Sequence, residues 1–170
     1  MATTTAEAGA PVNPTQREEH VVIFRLADEH YGIDIQSVQE IVRMQAITAI
    51  PGAEDWVEGI TNLRGRVVPV VDLRRRCRIT AREHGPETRI VVVSSSKGMV
   101  GLIVDAVTEV MRIPGDQVEA PNEIVSVPAN AYFRGIAKLD TRLVSLLDLE
   151  GVLLQDLEEA DWGSDTAAAA

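Results

Sequence analysis

The chain contains the same segment twice. Residues Gly59 to Leu73 superpose without gaps on Gly135 to Leu149, and seven of the fifteen aligned pairs are identical. Average residue frequencies give about one match in such a window, and the apolar bias of strands raises that to about two or three. A second pair agrees. Val21 to Phe24, then Gly32-Ile33 and Val38 to Ile41, lies over Ile90 to Val93, then Gly101-Leu102 and Val107 to Val110. The offset is 69 here and 76 in the first pair, so the second copy holds a longer loop, placed naturally at Asp116 to Ala131. The fold must therefore be built from two copies of one small unit, about residues 19–83 and 84–150.

Each unit is β-rich. Val and Ile occupy 35 positions, and short apolar runs at 21–26, 31–35, 67–71, 90–93, 100–104 and 143–147 are separated by Gly, Pro, Asp and Ser. The pattern predicts strand, turn, strand, a short helical piece, an Ile-Pro step (Ile50-Pro51 and Ile113-Pro114), and a closing hairpin. In the first copy that hairpin turns at Arg64-Gly65, and in the second at Asp140-Thr141. Strands this short favour small closed barrels over open sheets, because closure leaves no unpaired edge. Two such barrels are each too small for a full core and are expected to bury a face against one another. Leu149 to Glu159 is expected to form an amphipathic helix with Val152, Leu153 and Leu157 on one side, added to the first unit. Residues 1–18 and 161–170 lack an apolar period and are expected to be disordered tails flanking a domain at 19–160.

Composition narrows the function. With 16 Lys and Arg against 26 Asp and Glu, the net charge of -10 disfavours binding by bulk neutralisation of phosphates. The longest apolar run, Met99 to Val104, is six residues, against roughly 18 for a membrane helix. Residues 1–16 have neither the basic nor the apolar region of an export signal, so the expectation is a cytoplasmic protein. One cysteine, Cys77, allows no internal disulfide, and three histidines leave little for metal chemistry. No phosphate loop, dinucleotide fingerprint, hydrolase elbow or zinc-protease motif occurs, so no catalytic residues, metal ligands or cofactor are assigned.

Four features carry charge or chemistry. Arg74-Arg75-Arg76-Cys77-Arg78 reads as a charged connector between the units, or as the basic groove of a small nucleic-acid-binding barrel. The six aromatic residues, in no alternating series, count against the groove. Cys77 among arginines would have a lowered thiol pKa. Asp72 and Asp148, each closing a strand before Leu, suit turn or helix capping. Arg64, beside Gly65, is either a solvated turn residue or is held by an acidic partner, for which Glu40 is the candidate.

The segment Gly59-Ile60-Thr61-Asn62-Leu63-Arg64-Gly65, continued by Val67 to Leu73, resembles the CheW family of bacterial chemotaxis coupling proteins. Tyr31 to Ile35, Val38 to Ile41, Ile50-Pro51 and Gly101 to Asp105 extend the resemblance from about Glu19 to Leu157. It implies an all-β fold of two pseudo-symmetric five-stranded SH3-like barrels and an adaptor without enzymatic activity or cofactor. The implied partners are the cytoplasmic tip of chemoreceptors, the regulatory domain of the histidine kinase CheA, and other CheW-like domains in array rings. Carried over, the receptor groove between the barrels would hold Val38, Glu40, Ile41, Gly59, Arg64, Gly65, Val104 and Val107, with Glu40 and Arg64 a charged pair. The kinase would meet the region of Ile47, Ile50, Pro51 and Trp56. Output through flagella or through another pathway is left open by the resemblance.

Overall fold

A computed structural model describes residues 18–80, 83–120 and 132–154. The first half forms β1 (Glu18–Leu26), β2 (Glu29–Asp34), β3 (Val38–Arg43), β4 (Val57–Leu63), β5 (Arg66–Asp72) and a helical turn α1 (Leu73–Arg76). The second half forms β6 (Arg89–Ser95), β7 (Gly98–Val104), β8 (Ala106–Pro114), β9 (Val118–Glu119), β10 (Phe133–Leu139), β11 (Arg142–Leu147) and α2 (Leu149–Leu154). The expected helical piece after the second strand is a 3-10 turn at Ile35–Ser37 in the first half; in the second, β7 passes to β8 through Asp105 alone.

The strands make two curled sheets, ordered β8-β1-β2-β11-β10-β9 and β3-β6-β7-β5-β4. Exchanging each strand for its repeat counterpart (β1 for β6, β2 for β7, β3 for β8, β4 for β10, β5 for β11) converts the second order into the first five strands of the first, leaving only the short β9 over. That is an approximate two-fold relation. The same orders correct the division into contiguous units at 19–83 and 84–150. β3 pairs with β6 of the other half, and β8 with β1, so each sheet takes strands from both halves. The reason is chain direction: β3 and β8 leave their own hairpins and cross to the neighbouring sheet. β1 begins at Glu18, which belongs to the sheet and not to the tail; the remaining residues assigned to the two tails, Leu157, and much of the long second-half loop lie outside the described residues.

Closure depends on the segments after the exchanged strands. Thr48 and Ile60 exchange backbone hydrogen bonds of 2.8 and 2.9 Å, bringing the chain after β3 onto the free edge of β4. In the other sheet β9, following β8, pairs with β10 in the same way. At Gly59 the approach is so close that a Cβ would lie 2.1 Å from the Thr48 carbonyl oxygen. Gly135, its repeat counterpart, faces Val118 and Glu119 likewise.

Both faces of the central strands are buried, which explains their unbroken apolar runs. Val21 and Ile23 face a core with Ile113, Ala137, Val144 and Leu146 inside the first barrel. Their counterparts Ile90 and Val92 face Leu63, Val68, Val70 and Ile103 inside the second. Val22, Phe24, Val91 and Val93 point the other way, into a cluster shared by both sheets with Ile33, Leu102, Leu147 and Val152. This shared core joins the barrels. A fully buried Val or Leu side chain contributes about 1.5–3 kcal/mol by leaving water, so the shared face is a large part of the fold's stability.

Candidate functional site

Arg64 and Gly65 form the two-residue turn between β4 and β5, with φ of 54° and 85°. Both positive values match the turn that follows the right-handed twist of a hairpin. Asn62 Oδ1 accepts from the Gly65 amide at 2.9 Å and fixes the loop. From this tip Arg64 Nη2 reaches Glu40 Oε2 on β3 at 3.1 Å; Arg64 is 84% exposed and Glu40 only 23%. The charged pair expected from the sequence is thus formed, with the carboxylate seated and the guanidinium presented. The two residues line a cleft of about 270 Å³ with Gln39, Leu63, Arg66, Val68 and Met99.

The other expected receptor-groove residues divide. Val38 is half-buried against the shared core, Ile41 is 40% exposed on the outer face of β3, and Gly65 is exposed. Val107, the repeat counterpart of Val38, is half-buried against the same core. Val104 has no exposed surface, and Gly59 is buried against Thr48. Neither lines the surface: Val104, at the end of β7, packs into the core shared by the two sheets, and Gly59, in β4, is closed off by Thr48. Gln39, Arg66 and Met99 were missed by sequence reasoning. Arg66 carried a signal, as one of the identical pairs with Arg142.

The region expected to meet the kinase spans from β3 to β4. Ile47 packs on the interior of its barrel, and Ile50-Pro51-Gly52-Ala53 makes a turn with Gly52 at φ 78° and an Ala53 N–H to Ile50 carbonyl hydrogen bond of 3.3 Å. Pro51 is exposed, and Ile50 and Trp56 are half-buried.

The arginine run is neither a connector nor a groove. Arg74 is 1% exposed; its guanidinium grips Asp72 through two bonds of 3.1 and 3.0 Å and reaches Asp105 at 2.8 Å. Arg76 is 5% exposed. Two of the four guanidiniums are therefore inside the protein, where ion pairing and desolvation hold them away from phosphates. The expected lowered thiol pKa of Cys77 is also corrected: burial pushes it up to about 12, and the nearby Arg76 charge only partly opposes this. Asp72 caps α1 by accepting from the Arg74 amide at 3.0 Å, and Asp148 accepts from the Gly151 amide of α2 at 3.3 Å, as expected of both.

The sequence pattern of the CheW-like domain matches residues 20–156. The chain is 33% identical to the chemotaxis protein CheW of Klebsiella aerogenes over 90% of its own length and 89% of that protein's. It is 33% identical to CheW of Bacillus subtilis over 79% of its own length and 86% of the relative. Among solved structures, the scaffolding protein TtCheW of Thermoanaerobacter tengcongensis superposes with a TM-score of 0.74 at 38% identity, covering 80% of this chain and 92% of that one. With two barrels, an Asn-Leu-Arg-Gly hairpin and a domain match over most of its length, the chain belongs to the CheW-like family.

Proposed function

We propose that this protein is a non-enzymatic coupling protein that joins the cytoplasmic tip of chemoreceptors to the regulatory domain of the histidine kinase CheA. It would act in the cytoplasm, recruited to membrane-associated receptor arrays, where other CheW-like domains are further neighbours. The observation that carries this reading is the Glu40–Arg64 pair at the mouth of a cleft. An exposed guanidinium held in one direction by a seated carboxylate sets register for a docking helix, while Ile41 and the half-buried Val38 offer apolar contact. An interface built on so few contacts gains strength when many copies share one lattice.

The test is a pull-down with two separate baits, the CheA regulatory domain and the cytoplasmic hairpin of a chemoreceptor, both from the source organism. Capture by both baits is the expected result. Capture by neither, with a folded β-rich protein confirmed by circular dichroism, would overturn the reading. Coupling in a non-flagellar chemosensory pathway is a second reading of the output, favoured by 31% identity to protein FrzA of Myxococcus xanthus over 61% of this chain.

A further inference from the structure

Arg76 touches its own repeat counterpart. Extending the gapless alignment three residues each way pairs Trp56 with Tyr132 and Arg76 with Val152. The structure keeps this correspondence: the Asp72 amide donates to the Trp56 carbonyl at 2.8 Å, and the Asp148 amide to the Tyr132 carbonyl at 2.7 Å. Arg76 Nε donates to the Val152 carbonyl at 2.7 Å. Two positions exchanged by a two-fold relation can touch only at its axis, so this bond lies on the axis of the molecule. The guanidinium carbon stands 4.7 Å from the ring centroid of Trp56 and 4.7 Å from that of Tyr132, between the two counterpart aromatics. One buried cation thus bonds four pieces: α1, α2, the start of β4 and the start of β10.

We infer that Arg76 is a positioning residue, a pin on the pseudo-two-fold axis that sets Trp56 and the segment before it for kinase docking. The docking half of this inference rests on the function proposed above. The segment from Ile47 to Trp56 is tied to its barrel at Thr48 and to α1 at its other end, where Arg75 Nη1 donates to the Asp55 carbonyl at 3.3 Å and Arg76 covers Trp56. Arg76 places its guanidinium carbon over both rings, a cation–π contact to each that ties the two together. Its counterpart Val152 has no such reach, so the pin is one-sided although the scaffold is symmetric.

The test uses the full chain carrying Arg76→Met, which keeps length and apolar packing but removes the cation and the donor. Hydrogen exchange of the Asp72, Asp148 and Val152 amides should quicken at least tenfold, with the Val91 and Val92 amides of β6 unchanged. Affinity for the CheA regulatory domain should fall at least fivefold while that for the receptor hairpin stays within twofold, and Arg76→Lys should recover part of the loss. Unchanged exchange at the three amides would overturn the pin. Quickened exchange with unchanged kinase affinity would overturn its docking role, as would an equal loss for both baits. Should wild-type protein capture no kinase domain, the proposed function fails and the exchange result alone decides the pin. If Arg76→Met does not fold, Tyr132→Leu replaces it: loosening of the Asp72 amide, on the far side of Arg76, is the expected result, and no change there would overturn the inference.

Discussion

Arg74 Nη1 donates to Asp105 Oδ1 at 2.8 Å, binding the first helical turn after β5 to the single residue between β7 and β8. The same guanidinium grips Asp72 bidentately, and Asp105 Oδ2 accepts from the Ala27 amide at 2.6 Å in the β1–β2 turn. Two chain crossings therefore meet on one buried cation, and a third joins them through Asp105. Removing the cation leaves Asp72, 1% exposed, with only the half-exposed Arg75 guanidinium, at 3.7 Å, as a charge partner. Arg74→Met is expected to cost about 3–5 kcal/mol, read from urea unfolding monitored by circular dichroism. A cost under about 1 kcal/mol would mark the pairing as a surface-like contact.

Gly59 lies within β4 and Gly65 in the turn just past it, yet they are glycines for different reasons. At Gly65, φ is 85° and nothing stands within 4 Å of a Cβ, so Gly65→Ala carries only the left-handed backbone penalty of about 1–2 kcal/mol. At Gly59, φ is 147° and the Cβ would meet the Thr48 carbonyl oxygen at 2.1 Å, which breaks barrel closure. Gly59→Ala is expected to cost about 3 kcal/mol or more. Thermal melts of the two variants check the order, and equal melting temperatures would refute this account of Gly59.

Much of this was legible in the repeat. Most strand positions, the hairpin, the two-fold relation and the Glu40–Arg64 pair follow from aligned segments or from the family motif they carry, but β3 and β8 form where a short helical piece before Ile-Pro was expected. Strand exchange was not legible, for a physical reason. β1 and β6 have the same inward and outward alternation, so β3 finds an equivalent edge on either, and the apolar pattern does not distinguish its own copy from the other. Arg74 was hidden similarly: its partner Asp105 is 31 positions away, and a run of arginines read locally is a solvated run. Val104 was placed in the groove by the family resemblance alone, and its all-apolar strand did not contradict that, because a groove and a two-sided core both require apolar residues.

The Glu40–Arg64 pair separates stability from docking. Arg64 is 84% exposed, so its pairing energy is screened and contributes about 0.2–1 kcal/mol at most. Arg64→Glu is expected to leave the melting temperature nearly unchanged while weakening capture by the receptor hairpin. The double variant Glu40→Arg with Arg64→Glu restores the pair but reverses the presented charge. Recovery of receptor capture by the double variant would show that the pair acts only as an internal staple; continued loss is expected if the guanidinium itself is the docking group, as the proposed function has it.

Alkaline pH should destabilise the protein through two groups, the buried Tyr31 and the half-buried Cys77. Burial pushes the Cys77 thiol from an ordinary 9.0 up to about 12, and burial, helped by the Glu29 carboxylate that accepts from its hydroxyl at 3.0 Å, pushes Tyr31 upward from 10.0. A raised folded-state pKa means that the native protein keeps a proton the unfolded chain gives up. The associated stability is fully present below pH 9 and is lost as pH rises from about 9 towards 12, with a slope of up to about 1.4 kcal/mol per pH unit for each group. Cys77 begins this loss one unit before Tyr31, so Cys77→Ala should flatten the dependence between about pH 9 and 10 and leave the steeper part above it. Its cavity lowers the whole curve, but the slope is what reports the thiol. Urea midpoints at half-unit steps from about pH 8 to 11 measure it. The same burial predicts that iodoacetamide leaves native Cys77 unmodified at about pH 8 and labels it in urea. Rapid native labelling, with an unchanged slope in Cys77→Ala, would place the thiol at the surface and refute its packing against the shared core.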